Sequence, residues 1–119
     1  MQFLFFSFYL LAGHALADYA LQTEYIARAK SPSYVRQNDG EPHWWMVLGA
    51  HALINGGIVG VVTGMWVLGV AEAIVHAYTD YLKDRGRIGI MTDQAVHVGC
   101  KILWAVVATL LSVPAPTGQ

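Results

Sequence analysis

From His43 to Ala71 the chain carries no Asp, Glu, Lys or Arg over 29 consecutive positions. A run this long without charge belongs in hydrocarbon, and its length then dictates how it folds. One helix from Trp44 through to Asp80 would extend about 55 Å at 1.5 Å per residue, too long for a core ~30 Å thick. The run must therefore turn. A turn at Asn55-Gly56-Gly57 would leave the first half too short to cross. A turn near Thr63-Gly64 gives two helices of about 19 residues each, roughly Trp44 to Val62 and Met65 to Lys83. Asn55-Gly56-Gly57 then becomes a close-packing or kinked site inside the first of them.

The remainder of the chain fits the same solvent. Apolar residues are 55% of the 119 and charged residues 13%, about half the charged share of a soluble domain. This predicts a single small all-α membrane domain over residues 1–119. The net charge of −1 leaves no basic face for nucleic acid. Cys100 is the lone cysteine, which excludes an intrachain disulfide and a multi-thiolate metal site.

Two further helices are expected. The first covers about Gln2 to Glu24, with helical patterning running on as a polar turn or two towards Ala29. The rival reading is a cleaved signal peptide, with Phe3 to Leu11 as its apolar region and Ala15-Leu16-Ala17 as the cleavage site. The missing positive leader and the early His14 count against it. Ser31 to Pro42 reads as a loop, broken by Pro32, Asn38-Asp39-Gly40 and Pro42. Asp84 to Ile90 is a basic turn. The last helix is expected from about Thr92, as N-cap with Asp93 in the first turn, to about Val113, with Pro114-Ala115-Pro116 ending it. Arg28, Lys30 and Arg36 flank the first loop, and Lys83, Arg85 and Arg87 the third. By the positive-inside rule loops 29–42 and 84–91 face the cytoplasm and both termini lie outside a bacterial inner membrane. The fold expected is thus four transmembrane helices arranged as two antiparallel hairpins.

Polar residues interrupt these helices in a pattern. Glu72, His76 and Asp80 are spaced four apart, as are Asp93, His97 and Lys101, so each set forms a stripe on one helix face. Folded antiparallel about the basic turn, the stripes meet rung by rung: Asp80 with Asp93, His76 with His97, Glu72 with Lys101. An acid opposite an acid needs a cation or a proton between them. The topology also brings His14, His51, His76 and His97 to one depth, about 10 Å in from the cytoplasmic side at 1.5 Å per residue. Asp18, Asp80 and Asp93 fall slightly nearer that surface. A short internal echo points the same way. His14-Ala15-Leu16-Ala17-Asp18-Tyr19 matches His76-Ala77-Tyr78-Thr79-Asp80-Tyr81 at four of six positions, as parallel repeats about the membrane normal would.

Several of these pieces carry a family resemblance: His14-x3-Asp18 running into Leu21-Gln22-Thr23, Ala27-Arg28-Ala29-Lys30, the isolated His51, His76-x3-Asp80-x2-Lys83, and Asp93-Gln94-x2-His97. Together they resemble the domain of unknown function 3307 family, small multispan membrane proteins of bacteria and their phages. The resemblance spans nearly the whole chain and implies the membrane fold, but no established activity. A weaker likeness is to membrane-bound proteins described as metal-dependent hydrolases. Glu72 and Lys101 are not part of the family pattern, and their pairing rests on spacing alone.

Three chemistries suit such a layer. As a metal site, His14, Asp18, His51, His76, Asp80, Asp93 and His97 offer mixed nitrogen and oxygen ligands, which suit Zn²⁺, Mn²⁺ or Fe²⁺ and suffice for two ions. An open coordination position would acidify water for hydrolysis. Gln22, Gln94 and Lys83 would orient or neutralise the carboxylates from behind, with Glu72 and Lys101 as a buried ion pair. As a transporter, the same groups would relay protons or pass a metal ion. As structure, they would simply bind helix to helix, all that an interaction protein or a phage membrane modifier such as a holin needs. Among single residues, His43 reads as interfacial, Cys100 as a packing residue, Trp66 as an outer-interface anchor, and Gly49, Gly56, Gly57 and Gly60 as packing positions.

Overall fold

The turn demanded by the uncharged run falls at Gly64, whose φ of 70° is left-handed and therefore suits a residue without a Cβ. A computed structural model of the protein describes residues 1–112, and the proposed helix stop at Pro114-Ala115-Pro116 lies outside them. In chain order the helices are α1 (Gln2–Ala15), α2 (Glu24–Ala29), α3 (Trp44–Thr63), α4 (Trp66–Asp84) and α5 (Ile90–Ser112). Among the described residues there is no strand. Three stretches are long and apolar enough to cross a membrane: Gln2–Ala20, Trp44–Thr63 and Ile90–Ser112, with mean hydropathies of 1.3, 1.7 and 1.7. The fourth long helix, α4, carries Glu72, Asp80, Lys83 and Asp84 and does not join them on composition.

The first helix departs from expectation. It does not run to Glu24 but widens into a π-helical turn at Leu16–Ala20, closed by Leu21 N–H donating to the Leu16 carbonyl at 2.8 Å. The chain then restarts as α2, because Thr23 Oγ1 accepts from Ile26 N–H at 3.2 Å and Glu24 sits in the first turn. The last helix also starts earlier than Thr92. Asp93 N–H already reaches the Gly89 carbonyl at 3.0 Å, which puts Thr92 inside the first turn.

Packing departs too. The expected hairpins paired the first two and the last two long helices, yet the most intimate pair is α3 with α4, and α1 lies chiefly along α5. Glycine is the reason. A Cβ on Gly69 would fall 2.6 Å from the Gly56 carbonyl oxygen, so the two backbones touch where Asn55-Gly56-Gly57 faces α4. That segment causes no break in α3.

The molecule is apolar outside and polar within. Among the described residues, thirteen polar or charged ones are buried against eleven apolar ones, whereas a soluble fold keeps its charges in water. Leu4, Phe8, Leu53, Val61, Ile74 and Leu110 point outward and are all exposed, as contact with lipid requires. The main apolar cluster lies at the end holding Phe6, Leu10, Val59, Leu68, Ala105 and Ala108. The other end holds the polar layer and the loops. There Glu41 gathers the first loop, accepting from Tyr34 Oη and Gln37 N–H, each at 3.1 Å.

Candidate metal centre in a buried His and Asp layer

Helical spacing aims the polar residues inward. On α4, Glu72, His76 and Asp80 share a buried stripe with Leu68 and Gly69, and on α5 Asp93, His97 and Lys101 share one with Ala105 and Ala108. From α1 and its π turn come His14 and Asp18, and from α3 His51 and Asn55. The seven candidate ligands, His14, Asp18, His51, His76, Asp80, Asp93 and His97, are none more than 9% exposed. The four imidazoles converge. His76 stacks on His97 with centroids 4.1 Å apart, His51 lies 5.0 Å from His76, and His14 lies 5.6 Å from His97.

Three groups of ligand atoms stand close together: Asp18 with His51 and His76, Glu72 with His76 and His97, and Asp80 with Asp93 and His97. The first is the tightest triangle. Asp18 Oδ1 is 3.3 Å from His51 Nε2 and 3.6 Å from His76 Nε2, and the two Nε2 atoms are 3.2 Å apart. Ligands about 2.0–2.1 Å from a tetrahedral Zn²⁺ lie about 3.3–3.4 Å from one another. Asn55 Nδ2 donates to Asp18 Oδ1 at 3.0 Å and lies 3.2 Å from His76 Nε2. An amide N–H facing Nε2 makes that nitrogen an acceptor, and a metal ion would take its lone pair in place of the Asn55 N–H. The ring's proton then belongs on Nδ1, which lies 3.4 Å from Glu72 Oε1 and has no aligned hydrogen-bond partner. A carboxylate behind a histidine is the arrangement that readies the opposite nitrogen for a metal.

The other carboxylates have lysines. Glu72 pairs with Lys101 and also accepts from Trp104 Nε1 at 2.6 Å. Asp80 Oδ2 pairs with Lys30 while lying 3.6 and 3.7 Å from His51 and His76 Nε2. Its Oδ1 is 3.2 Å from His97 Nε2 and 3.5 Å from Lys83 Nζ. Asp93 faces Asp80 across His97 and Lys83. Asp93 Oδ1 is 3.4 Å from His97 Nε2, and Oδ2 is 3.7 Å from Lys83 Nζ. Among the described residues Asp18 is the one buried carboxylate whose ion-pair partners are all histidines: His14, His51 and His76.

The charges do not cancel. Asp18, Glu72, Asp80 and Asp93 are buried with Lys30 and Lys101, and the rim adds one charge of each sign, Asp84 and Lys83, the latter 3.5, 3.7 and 4.0 Å from Asp80, Asp93 and Asp84. Two negative charges are left for the imidazoles or a bound cation to balance, and burying them unmatched is expensive.

Of the residues expected to support the carboxylates, Gln94 does so directly, donating to Asp93 Oδ2 at 3.0 Å while its Oε1 accepts from Tyr19 at 3.1 Å and lies 3.3 Å from His14 Nε2. Gln22 does not reach the Asp18 carboxylate. The helix stops just before it, so its amide caps the freed Asp18 backbone carbonyl at 3.1 Å, and its Oε1 accepts from Lys30 at 2.7 Å. Sequence reasoning missed Lys30, Asn55, Tyr19 and Trp104. Lys30 was grouped with Arg28 as a basic flank, yet it is 2% exposed where Arg28 is open to solvent. Its place in the Ala27-Arg28-Ala29-Lys30 motif is the signal that could have singled it out.

No curated protein and no solved structure matches the chain. Residues 5–115 match the family described as protein of unknown function (DUF3307), and the chain is a member of that family.

Proposed function

We propose that this is a four-span protein of the bacterial inner membrane that binds one divalent cation, Zn²⁺, Mn²⁺ or Fe²⁺, between Asp18, His51 and His76. The observation that carries this reading is the triangle of Asp18 Oδ1, His51 Nε2 and His76 Nε2, with edges of 3.2–3.6 Å and no lysine bonded to its carboxylate. With all four imidazoles neutral, one divalent ion would balance the two uncompensated negative charges of the layer. Mixed imidazole and carboxylate ligands favour a transition metal over Mg²⁺ or Ca²⁺.

Hydrolysis fits the geometry less well, because ligands no more than 9% exposed give a substrate no route to the ion. Transport fits less well too. Outward of Glu72 and Lys101 the helices close on Phe6, Leu10, Val59 and Leu68, with no chain of titratable groups beyond among the described residues. A second reading, polar adhesion between helices, is favoured by the Lys30–Asp80 and Lys101–Glu72 pairs.

Metal analysis of the purified, detergent-solubilised protein decides between them. Metal binding predicts one Zn²⁺ per chain, lost in Asp18→Asn, His51→Ala and His76→Ala, with lowered thermal stability after chelation. A wild type that binds no Zn²⁺, Mn²⁺ or Fe²⁺ and is indifferent to chelator leaves adhesion as the function of the layer.

A further inference from the structure

The layer has ligand groups for two ions but charge for one, and the difference lies in Lys30. We infer that the Lys30 ammonium takes the place of a second metal ion and holds the site to a single cation. This inference rests on the cation-binding reading above and goes beyond it by fixing how many ions bind and which residue limits them.

Asp80 stands between two ligand groups. Its Oδ2 faces His51 and His76 Nε2 at 3.6 and 3.7 Å, and its Oδ1 faces His97 Nε2 at 3.2 Å, with Asp93 Oδ1 3.4 Å beyond on the same nitrogen. A carboxylate so placed is the natural bridge of a two-metal site. Lys30 Nζ is bonded to that same Oδ2 and is anchored on its other side by Gln22 Oε1 at 2.7 Å. The side chain is 2% exposed and enters from the end of α2, a six-residue helix otherwise buried only at Ala29. With Lys30 and Lys101 in place, one divalent ion neutralises the buried carboxylates. A second would leave two positive charges in a layer closed to solvent, which low-dielectric surroundings oppose. Removing the Lys30 charge frees Asp80 Oδ2, leaves Lys83 on the rim as the cation still facing Asp80 Oδ1 and Asp93 Oδ2 at 3.5 and 3.7 Å, and supplies part of the charge a second ion needs.

The test is Zn²⁺ stoichiometry in the full chain, by calorimetric titration and elemental analysis in detergent, for wild type and Lys30→Met. The expected result is one ion for wild type and two for the variant, the second lost again in Lys30→Met/Asp93→Asn. In parallel, acetic anhydride labelling of wild type, read by mass spectrometry, reports whether Lys30 stays in place. Its labelling should remain low and unchanged by Zn²⁺. Two ions in wild type, or a several-fold rise in Lys30 labelling on adding Zn²⁺, overturns the inference while leaving the cation site standing. One ion in both proteins does the same. No ion in either removes both. If Lys30→Met fails to fold, wild-type stoichiometry and labelling still decide.

Discussion

Residues in this layer are held by pairing rather than by water, so their removal is felt through the partner left behind. Lys101 and Glu72 are the clearest case, each 0% exposed. Lys101→Met leaves Glu72 buried with only Trp104 and His76 for company, and should lower stability by about 3–5 kcal/mol. Reversible unfolding in a denaturing detergent would measure it. Adding Glu72→Gln should recover a large part of the loss, because the orphaned charge is gone. An additive double variant would mean that the two side chains are not coupled. Why this pair was legible, and Lys30 was not, is a matter of periodicity. Glu72 and Lys101 sit on helices joined by a short turn, so spacing four apart and antiparallel register place them opposite one another. Lys30 and Asp80 are 50 residues apart, and no period relates the end of α2 to the last turns of α4. A lysine beside a loop also satisfies the positive-inside pattern, which hides a buried role.

At the scale of the helix, backbone contact does what side-chain volume does in a soluble core. Gly56 has the Gly69 carbonyl and the Ala73 Cβ where its own Cβ would stand, whereas Gly57, one residue on, has nothing within 4 Å. Gly56→Ala should therefore push α4 off α3 and destabilise by about 1–3 kcal/mol, and should weaken metal binding by moving His76 away from His51. Gly57→Ala should leave both unchanged or gain slightly in helix propensity. Equal effects on melting temperature at the two positions would show that α3 and α4 do not approach through Gly56. Helix existence was readable from the apolar runs, and so was the turn at Thr63-Gly64. Helix ends were not. The π turn at Leu16–Ala20 has no sequence signature in a run that reads as continuous helix, and the Thr23 cap that restarts α2 is visible only once the first helix is known to stop.

For the whole molecule the question is whether α4, with four charged residues, could lie in a bilayer beside the three apolar helices. Alone, α4 would pay several kcal/mol for Glu72 and Asp80 at depth; in the bundle both carboxylates are covered, by Lys101 and Trp104 on α5 and by Lys30 and His97. The exposed faces of α4 are Val67, Val70, Ile74 and Tyr78, which suit lipid. Hence α4 should cross as the third of four spans, bringing 31–43 and 85–89 to one side and the Gly64 turn to the other. By the positive-inside rule, exposed Arg28, Arg85 and Arg87 should place that shared side in the cytoplasm. With Cys100→Ser removing the lone thiol, single cysteines at Asn38→Cys, Met65→Cys and Arg85→Cys report the arrangement in intact cells (Met65 is used because Gly64 has a φ of 70° that a side chain would strain). A membrane-impermeant maleimide should label position 65 and spare 38 and 85. Labelling at 38 and 85 but not 65 would invert the protein and place the cation layer near the outer face. Labelling at only one of 38 and 85 would mean that they lie on opposite sides, so that α3 and α4 do not both cross. The stripe of Glu72, His76 and Asp80 could not then meet its partners at one depth.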